Sequence, residues 1–262
     1  MRSLLVLAAL SFAPLDANGH YHMLLPDKSS VKVDEQVSIA YQFGHPFEAE
    51  LFDAEKPKFA KAYAPDLTST DLTDSFEKVV VDSTDKKKIV TYRCKYTPKV
   101  RGDHVILVQS PPIYLEDQKL FIQDTVRVTL HVQSEKGWNY SYSDKLPFVF
   151  VPMTRPYGLR AGTVFQAKTT FGVHRVEVEK YNAVPPRELP PEEFVTSSLM
   201  TDDRGVATCT LPETGWWVLT AEDGGRAMEL PPTIERDGKK VRLIRRASLW
   251  VNVEGYPSKK GE

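Results

Sequence analysis

Residues 123–133 read QDTVRVTLHVQ, and this stretch decides the fold class. Val126, Val128, Leu130 and Val132 alternate with Thr125, Arg127, Thr129 and His131. A side-chain period of two, with apolar residues on one face, marks a half-buried strand rather than a helix. The same alternation appears upstream at Val37, Ile39, Tyr41 and Phe43. Val79 to Val81 and Val90 to Tyr96 flank the turn Ser83-Thr84-Asp85-Lys86, and Val90, Tyr92, Cys94 and Tyr96 share a face. Val105 to Val108 follows the turn residues Arg101, Gly102 and Asp103. Residues 113–123 fit one short helix or an irregular loop. Strands at short spacing with turn residues between them predict an immunoglobulin-like antiparallel sandwich over residues 20–134.

Polar and turn-prone residues break the pattern at 135–147, which reads as a linker. Strand signals restart at Phe148-Val149-Phe150-Val151 and continue through Val164 to Ala167, Val176 to Val178, Val206 to Leu211 and Trp216 to Thr220. The run from Asp202 to Trp217 resembles transthyretin-like or carboxypeptidase-regulatory-like sandwiches. The expected architecture is therefore all-β: two tandem antiparallel β-sandwiches, each with its own core, the second over residues 148–255, followed by a tail at 256–262. Pro185-Pro186 and Pro190-Pro191 read as a stiff surface connector, because proline cannot donate to a central ladder. Cys94 and Cys209 fall in different halves and are expected to be free thiols.

The 262 residues carry 34 Lys+Arg and 35 Asp+Glu, a formal charge of −1. No bulk basic field exists to hold nucleic acid or an anionic membrane. Two cysteines exclude a disulfide-dense scaffold and any four-cysteine metal site. Arg2, the apolar run Leu4 to Ala13, and the small residues Ala17 and Gly19 form a secretory signal peptide, with cleavage expected after Gly19. No later segment approaches membrane-spanning length, so the mature chain is expected to be periplasmic or secreted. The sequence lacks GxSxG, HExxH, GxxxxGK[ST] and GxGxxG, and no carboxylate pair is singled out. The expectation is a protein that is not an enzyme.

Six histidines carry what chemistry there is: His20, His22, His45, His104, His131 and His174. Cleavage after Gly19 makes His20-Tyr21-His22 the new N-terminus. A free α-amine has a pKa of about 7.7–8.0, so a metal displaces its proton near neutral pH. Histidine in third place allows a square of nitrogens: the amine, two deprotonated backbone amides and the His22 imidazole. Such a square suits Cu(II) or Ni(II). Histidine in first place allows a different chelate, from the amine and the His20 imidazole, completed by one further imidazole. Both remain open on sequence. His45 shares the inward parity of Ile39, Tyr41 and Phe43 and is fixed between Gly44 and Pro46, with Glu48 as a candidate partner for its ring. His104 reads as structural, His131 as solvated on the polar face of its strand, and His174 as local structure.

The segment His20 to Pro57, HYHMLLPDKSSVKVDEQVSIAYQFGHPFEAELFDAEKP, resembles domain-of-unknown-function family 4198. The resemblance continues through Arg101 to Pro112, Gln123 to Gln133 and Pro152 to Gly162. It implies an exported two-domain β protein of the kind described as a nickel-uptake or nickel/cobalt substrate-binding component, with His20, His22 and His45 as metal ligands. The expected function is capture of nickel, cobalt or copper outside the cytoplasm and delivery to a membrane metal transporter or a metalloenzyme. The alternative is a non-catalytic envelope or cell-surface interaction module whose histidines are incidental. An oxidative copper enzyme built on the same N-terminal chelate is a third reading.

Overall fold

The computed structural model describes residues 20–83, 86–116, 118–142, 146, 148–172, 174–223 and 232–255. The expected leader at 1–19, the tail at 256–262 and the turn tip at Thr84 and Asp85 lie outside them. Among the described residues, eleven strands occupy the first half: β1 Tyr21–Pro26, β2 Ser30–Val31, β3 Val37–His45, β4 Glu50–Phe52, β5 Phe59–Tyr63, β6 Ser69–Asp71, β7 Glu77–Asp82, β8 Lys88–Tyr96, β9 Gly102–Gln109, β10 Ile113–Leu115 and β11 Leu120–Val132. Eight follow: β12 Phe150–Pro152, β13 Thr163–Thr169, β14 Arg175–Lys180, β15 Thr196–Met200, β16 Val206–Leu211, β17 Gly215–Glu222, β18 Thr233–Arg236 and β19 Lys239–Val253. The fold is all-β, and among the described residues one 3₁₀ turn, Glu192–Phe194, is the only helical element. No described helix is long and apolar enough to cross a membrane.

One sheet has the order β1-β3-β8-β7, with β4 on the far end of β3. A second, long sheet runs β15-β14-β17-β19-β11-β9-β5-β6, and a third is β12-β13-β16. Most neighbours are antiparallel; β11 pairs with β19, and with β2, in parallel. The β11–β19 ladder sets Asp124 across from Arg246 and Val128 across from Trp250. This ladder makes the long sheet continuous between the two halves.

The inward faces follow the alternation. Val126, Val128, Leu130 and Val132 on β11 pack with Met23, Val37, Ile39, Tyr41, Cys94, Ile106 and Val108 in the first core. A second core collects Phe150, Phe165, Val176, Leu219, Leu249 and Val251. The cores are not independent as expected, because Val218, Ile244 and Trp250 from the second half belong to the first core. The reason is that β19 is buried on both faces: Ile244 and Trp250 point into the first core, while Ala247, Leu249, Val251 and Val253 alternate with them into the second. Among the described residues of 113–123 there is neither a helix nor an irregular loop; β10 folds back on the start of β11, with Ile113 across from Ile122.

The polar face of β11 is covered rather than wet. The Trp138 and Tyr140 carbonyls accept from the buried Arg127 guanidinium at 2.6 and 2.8 Å. Tyr142 and Leu146 join Tyr63, Val105 and Leu107 in a third cluster. Cys94 and Cys209 are free thiols, the first buried and the second half-buried.

Candidate functional site

Antiparallel pairing of β1 with β3 sets Tyr21 across from Gly44 and His22 across from Phe43. Continuing that register by one residue sets His20 across from His45. The two imidazoles meet edge to face, 4.4 Å between centroids. Phe52 packs against both, at 5.2 Å from His20 and 5.3 Å from His45. Phe43 flanks His20 at 5.9 Å. Two residues from distant parts of the chain thus form a pair of rings within an aromatic wall.

Gly44 permits the close approach of β4. Its φ is +152°, and a Cβ there would lie 2.0 Å from the Glu50 carbonyl oxygen. This hairpin sets Glu50 directly across from His45. Glu50 Oε2 lies 3.0 Å from His45 Nδ1, while Glu48 Oε2 lies at 3.9 Å. The partner expected from sequence was Glu48; the strand register makes Glu50 the nearer one. An ionised carboxylate accepts from Nδ1–H, which leaves Nε2 as the lone-pair nitrogen. That Nε2 is buried and has no hydrogen-bond partner among the described residues.

His22 faces the same side of β1 as His20, two residues away. It is fully buried, stacked on Tyr41 at 5.2 Å and packed on Phe43 at 4.6 Å. Neither ring nitrogen has a partner among the described residues. Burial pushes its pKa down to about 4, with Asp124 opposing and Arg246 reinforcing that shift. The structure therefore brings His20 and His45 together and holds His22 in the core beside them. Among the described residues no three His, Cys, Asp or Glu side chains converge as a metal site.

The backbone around these histidines is gripped by the second half of the chain. Arg246 Nη2 donates to the His20 carbonyl at 2.7 Å, and Trp250 Nε1 to the His22 carbonyl at 3.0 Å. Arg246 is itself held by two bonds to the Asp124 carboxylate, at 2.6 and 2.7 Å. Burial pushes Asp124 up, but Arg246 overrides it and holds the carboxyl below its usual range. Beyond His45, the Phe47 N–H donates to Glu179 Oε1 at 3.1 Å, and Asn182 bonds the Pro46 and Phe47 carbonyls at 2.8 and 2.7 Å. Burial raises Glu179 to about 7 against the hydrogen bonds from Thr196 and Phe47. None of these residues stood out in the sequence. The available signal was parity: Asp124 falls on the apolar face of Val126 and Val128, and Arg246 on that of Ile244 and Trp250.

The other histidines have local partners. His104 Nδ1 bonds the Tyr96 hydroxyl at 2.8 Å and its Nε2 the Val100 carbonyl at 2.9 Å. His131, expected to be solvated, is paired with buried Asp103 at 2.7 Å and stacked on Tyr157 at 4.0 Å. The cause is the covering of the polar face of β11. His174 Nε2 bonds the Phe171 carbonyl at 3.0 Å.

The comparison with curated proteins returns no match. Among solved structures, a DUF4785 family protein from Legionella pneumophila is similar at 9% identity and a TM-score of 0.31, over 78% of this chain and 54% of that one. Alpha-2-macroglobulin from Escherichia coli is similar at 10% identity and a TM-score of 0.24, over 90% of this chain and 20% of that one. The immunoglobulin domains of Dpr2 in complex with DIP-Theta are similar at 12% identity and a TM-score of 0.20, over 86% and 66%. The chain thus spans about half the length of the first and a fifth of the second. A family model matches residues 17–223, which include the His20–His45 pair and the Glu179 and Asp124 that brace it, and the chain belongs to that family, described as a domain of unknown function, DUF4198.

Proposed function

We propose that this protein captures a divalent transition metal (nickel, cobalt or copper) outside the cytoplasm and delivers it to a membrane transporter or a metalloenzyme. The observation that supports this is the His20–His45 pair, in which Glu50 holds one His45 nitrogen and leaves the other buried without a partner. A buried lone pair left unmatched is costly, and a bound cation resolves it. Imidazole and amine nitrogens suit these three metals. Removal of residues 1–19 adds the His20 α-amine to the donor set. His20 then supplies its amine, with His20, His22 and His45 as the candidate imidazoles. The chain's own role is to bind, orient and release; no reaction step is required of it.

The same reading keeps the first half as an immunoglobulin-like sandwich and the second as a transthyretin-like one. Supporting the latter, the Asp202 carboxylate accepts from the Arg204 and Val206 amides and closes the turn before β16, with Gly215 opening β17 just beyond.

Calorimetric titration with Cu(II) and Ni(II) tests the metal reading. Protein beginning at His20 is expected to bind one ion tightly, with affinity rising as pH rises through the amine and imidazole range. One residue added before His20 should weaken binding strongly. Equal affinity for the two forms would sink the N-terminal site.

A further inference from the structure

Two chelates are open to a chain that begins His20-Tyr21-His22, and the fold treats them differently. The four-nitrogen square needs the Tyr21 and His22 amides stripped of their protons and turned to the metal, with the His22 imidazole closing the ring. The two amides are already engaged, and the imidazole is sealed in the core. The carbonyls of His20 and His22 face the second half of the chain, where Arg246 and Trp250 donate to them. The His22 N–H shares that edge and is directed at the Asp124 carboxylate, whose pKa it helps to lower. Tyr21, between them, presents its backbone to β3 in the ladder with Gly44. The His22 ring lies in the core between Tyr41 and Phe43.

Asp124 and Arg246 are the centre of this arrangement. They face each other across the parallel β11–β19 ladder, and both are buried. Two charge-assisted bonds fix the guanidinium, whose remaining reach is toward the His20 carbonyl. Forming the square in the folded protein would pull His22 out of the core, remove its amide proton from beside Asp124 and open the first rungs of β1–β3. The three-nitrogen set requires none of this: the His20 ring lies at the strand end with His45 across from it, and removal of residues 1–19 would turn the His20 nitrogen into an amine there.

We propose that the buried Asp124–Arg246 pair selects the chelate, withholding the backbone amides so that the folded site takes copper through the His20 amine, the His20 imidazole and the His45 imidazole. The inference rests on the metal-binding reading above. Copper follows because it heads the affinity order for nitrogen donors, whereas Ni(II) loses the amide donors that make its square site strong. Asp124 and Arg246 are positioning residues; neither touches the metal.

The test uses full-length mature protein beginning at His20, titrated with Cu(II) alone, folded and in concentrated urea. Protons released per copper and the visible absorption of the bound ion are the readouts. The folded protein is expected to release no amide protons. The same chain in urea, with its amides freed, should release two more protons per copper and absorb at higher energy. His22→Leu should abolish the urea-state spectrum. His45→Ala should weaken folded binding by about tenfold or more and leave the urea state untouched. The double variant Asp124→Leu/Arg246→Met, if folded by circular dichroism, should release amide protons. If it does not fold, the folded–urea comparison on the unmodified protein decides alone. Amide protons released by the folded protein would overturn the selection while leaving an N-terminal site standing. Copper affinity unchanged by one extra residue before His20 would overturn both.

Discussion

His22 is the residue whose chemistry and position are most at odds. It is an imidazole with two unpartnered ring nitrogens, sealed against Tyr41 and Phe43. An unsatisfied buried polar group costs about 1–3 kcal/mol, so His22→Leu, which keeps similar volume, is expected to raise stability by about 1 kcal/mol. A urea denaturation series comparing midpoints at unchanged slope checks this. Asp124 behaves in the opposite way. Asp124→Asn strips Arg246 of its counter-charge in a site where both are buried, and a loss of about 3–5 kcal/mol is expected. Replacing both partners by apolar residues should recover most of it, since the desolvation of two ions is then avoided. A double variant no more stable than Asp124→Asn would contradict that account.

At the scale of elements, the β3–β4 hairpin and the end of β14 place His45. A methyl group at residue 44 would collide with the Glu50 carbonyl oxygen, and the backbone there is in a region favouring glycine. Gly44→Ala is therefore expected to cost more than about 2 kcal/mol and to weaken metal affinity by displacing Glu50 from His45. Thermal melts and titration of the same variant check the two effects together. Glu179 on β14 holds the Phe47 amide, and burial raises its pKa from 4.5 to about 7. The folded state thus binds the proton more tightly than the unfolded one. Its contribution is fully present below pH 4.5 and is lost as pH rises through about 7, a swing of about 3 kcal/mol at roughly 1.4 kcal/mol per unit. Glu179→Gln can accept from Phe47 and donate to Thr196, so it should remove this swing. The difference in stability between variant and parent at pH 5 and pH 8 isolates the effect from the neighbouring Glu48 and Glu177. No difference would show that the raised pKa is wrong.

For the whole molecule, the decisive connection is the parallel β11–β19 ladder. Trp250 lies in the first core, and its indole N–H bonds the His22 carbonyl. A fragment of residues 20–134 would lack Trp250, Ile244 and Val218 and would expose the β11 edge. It is expected to be unfolded or aggregation-prone, and full-length protein is expected to melt in one transition. Two separate calorimetric transitions, or a well-folded fragment, would show that the halves are energetically distinct.

Much of this was legible in the chain itself. Alternation at 37–43, 90–96 and 125–132 encodes strands because a pleated backbone repeats every two residues, a property local to each segment. The histidines of His20-Tyr21-His22 and of Gly44-His45-Pro46 were visible for the same reason: residue type and parity need no partner to be read. What pairs with what was not visible. Glu50 rather than Glu48 faces His45 because of a hairpin register set by Gly44, and Asp124 meets Arg246 because β19 returns beside β11 from 122 residues away. His20 and His45 come together only through the β1–β3 ladder. Periodicity within a strand is a local property of the backbone, whereas register, parallel pairing and the burial of a charged pair depend on contacts between strands distant in sequence, and those the tertiary structure alone decided.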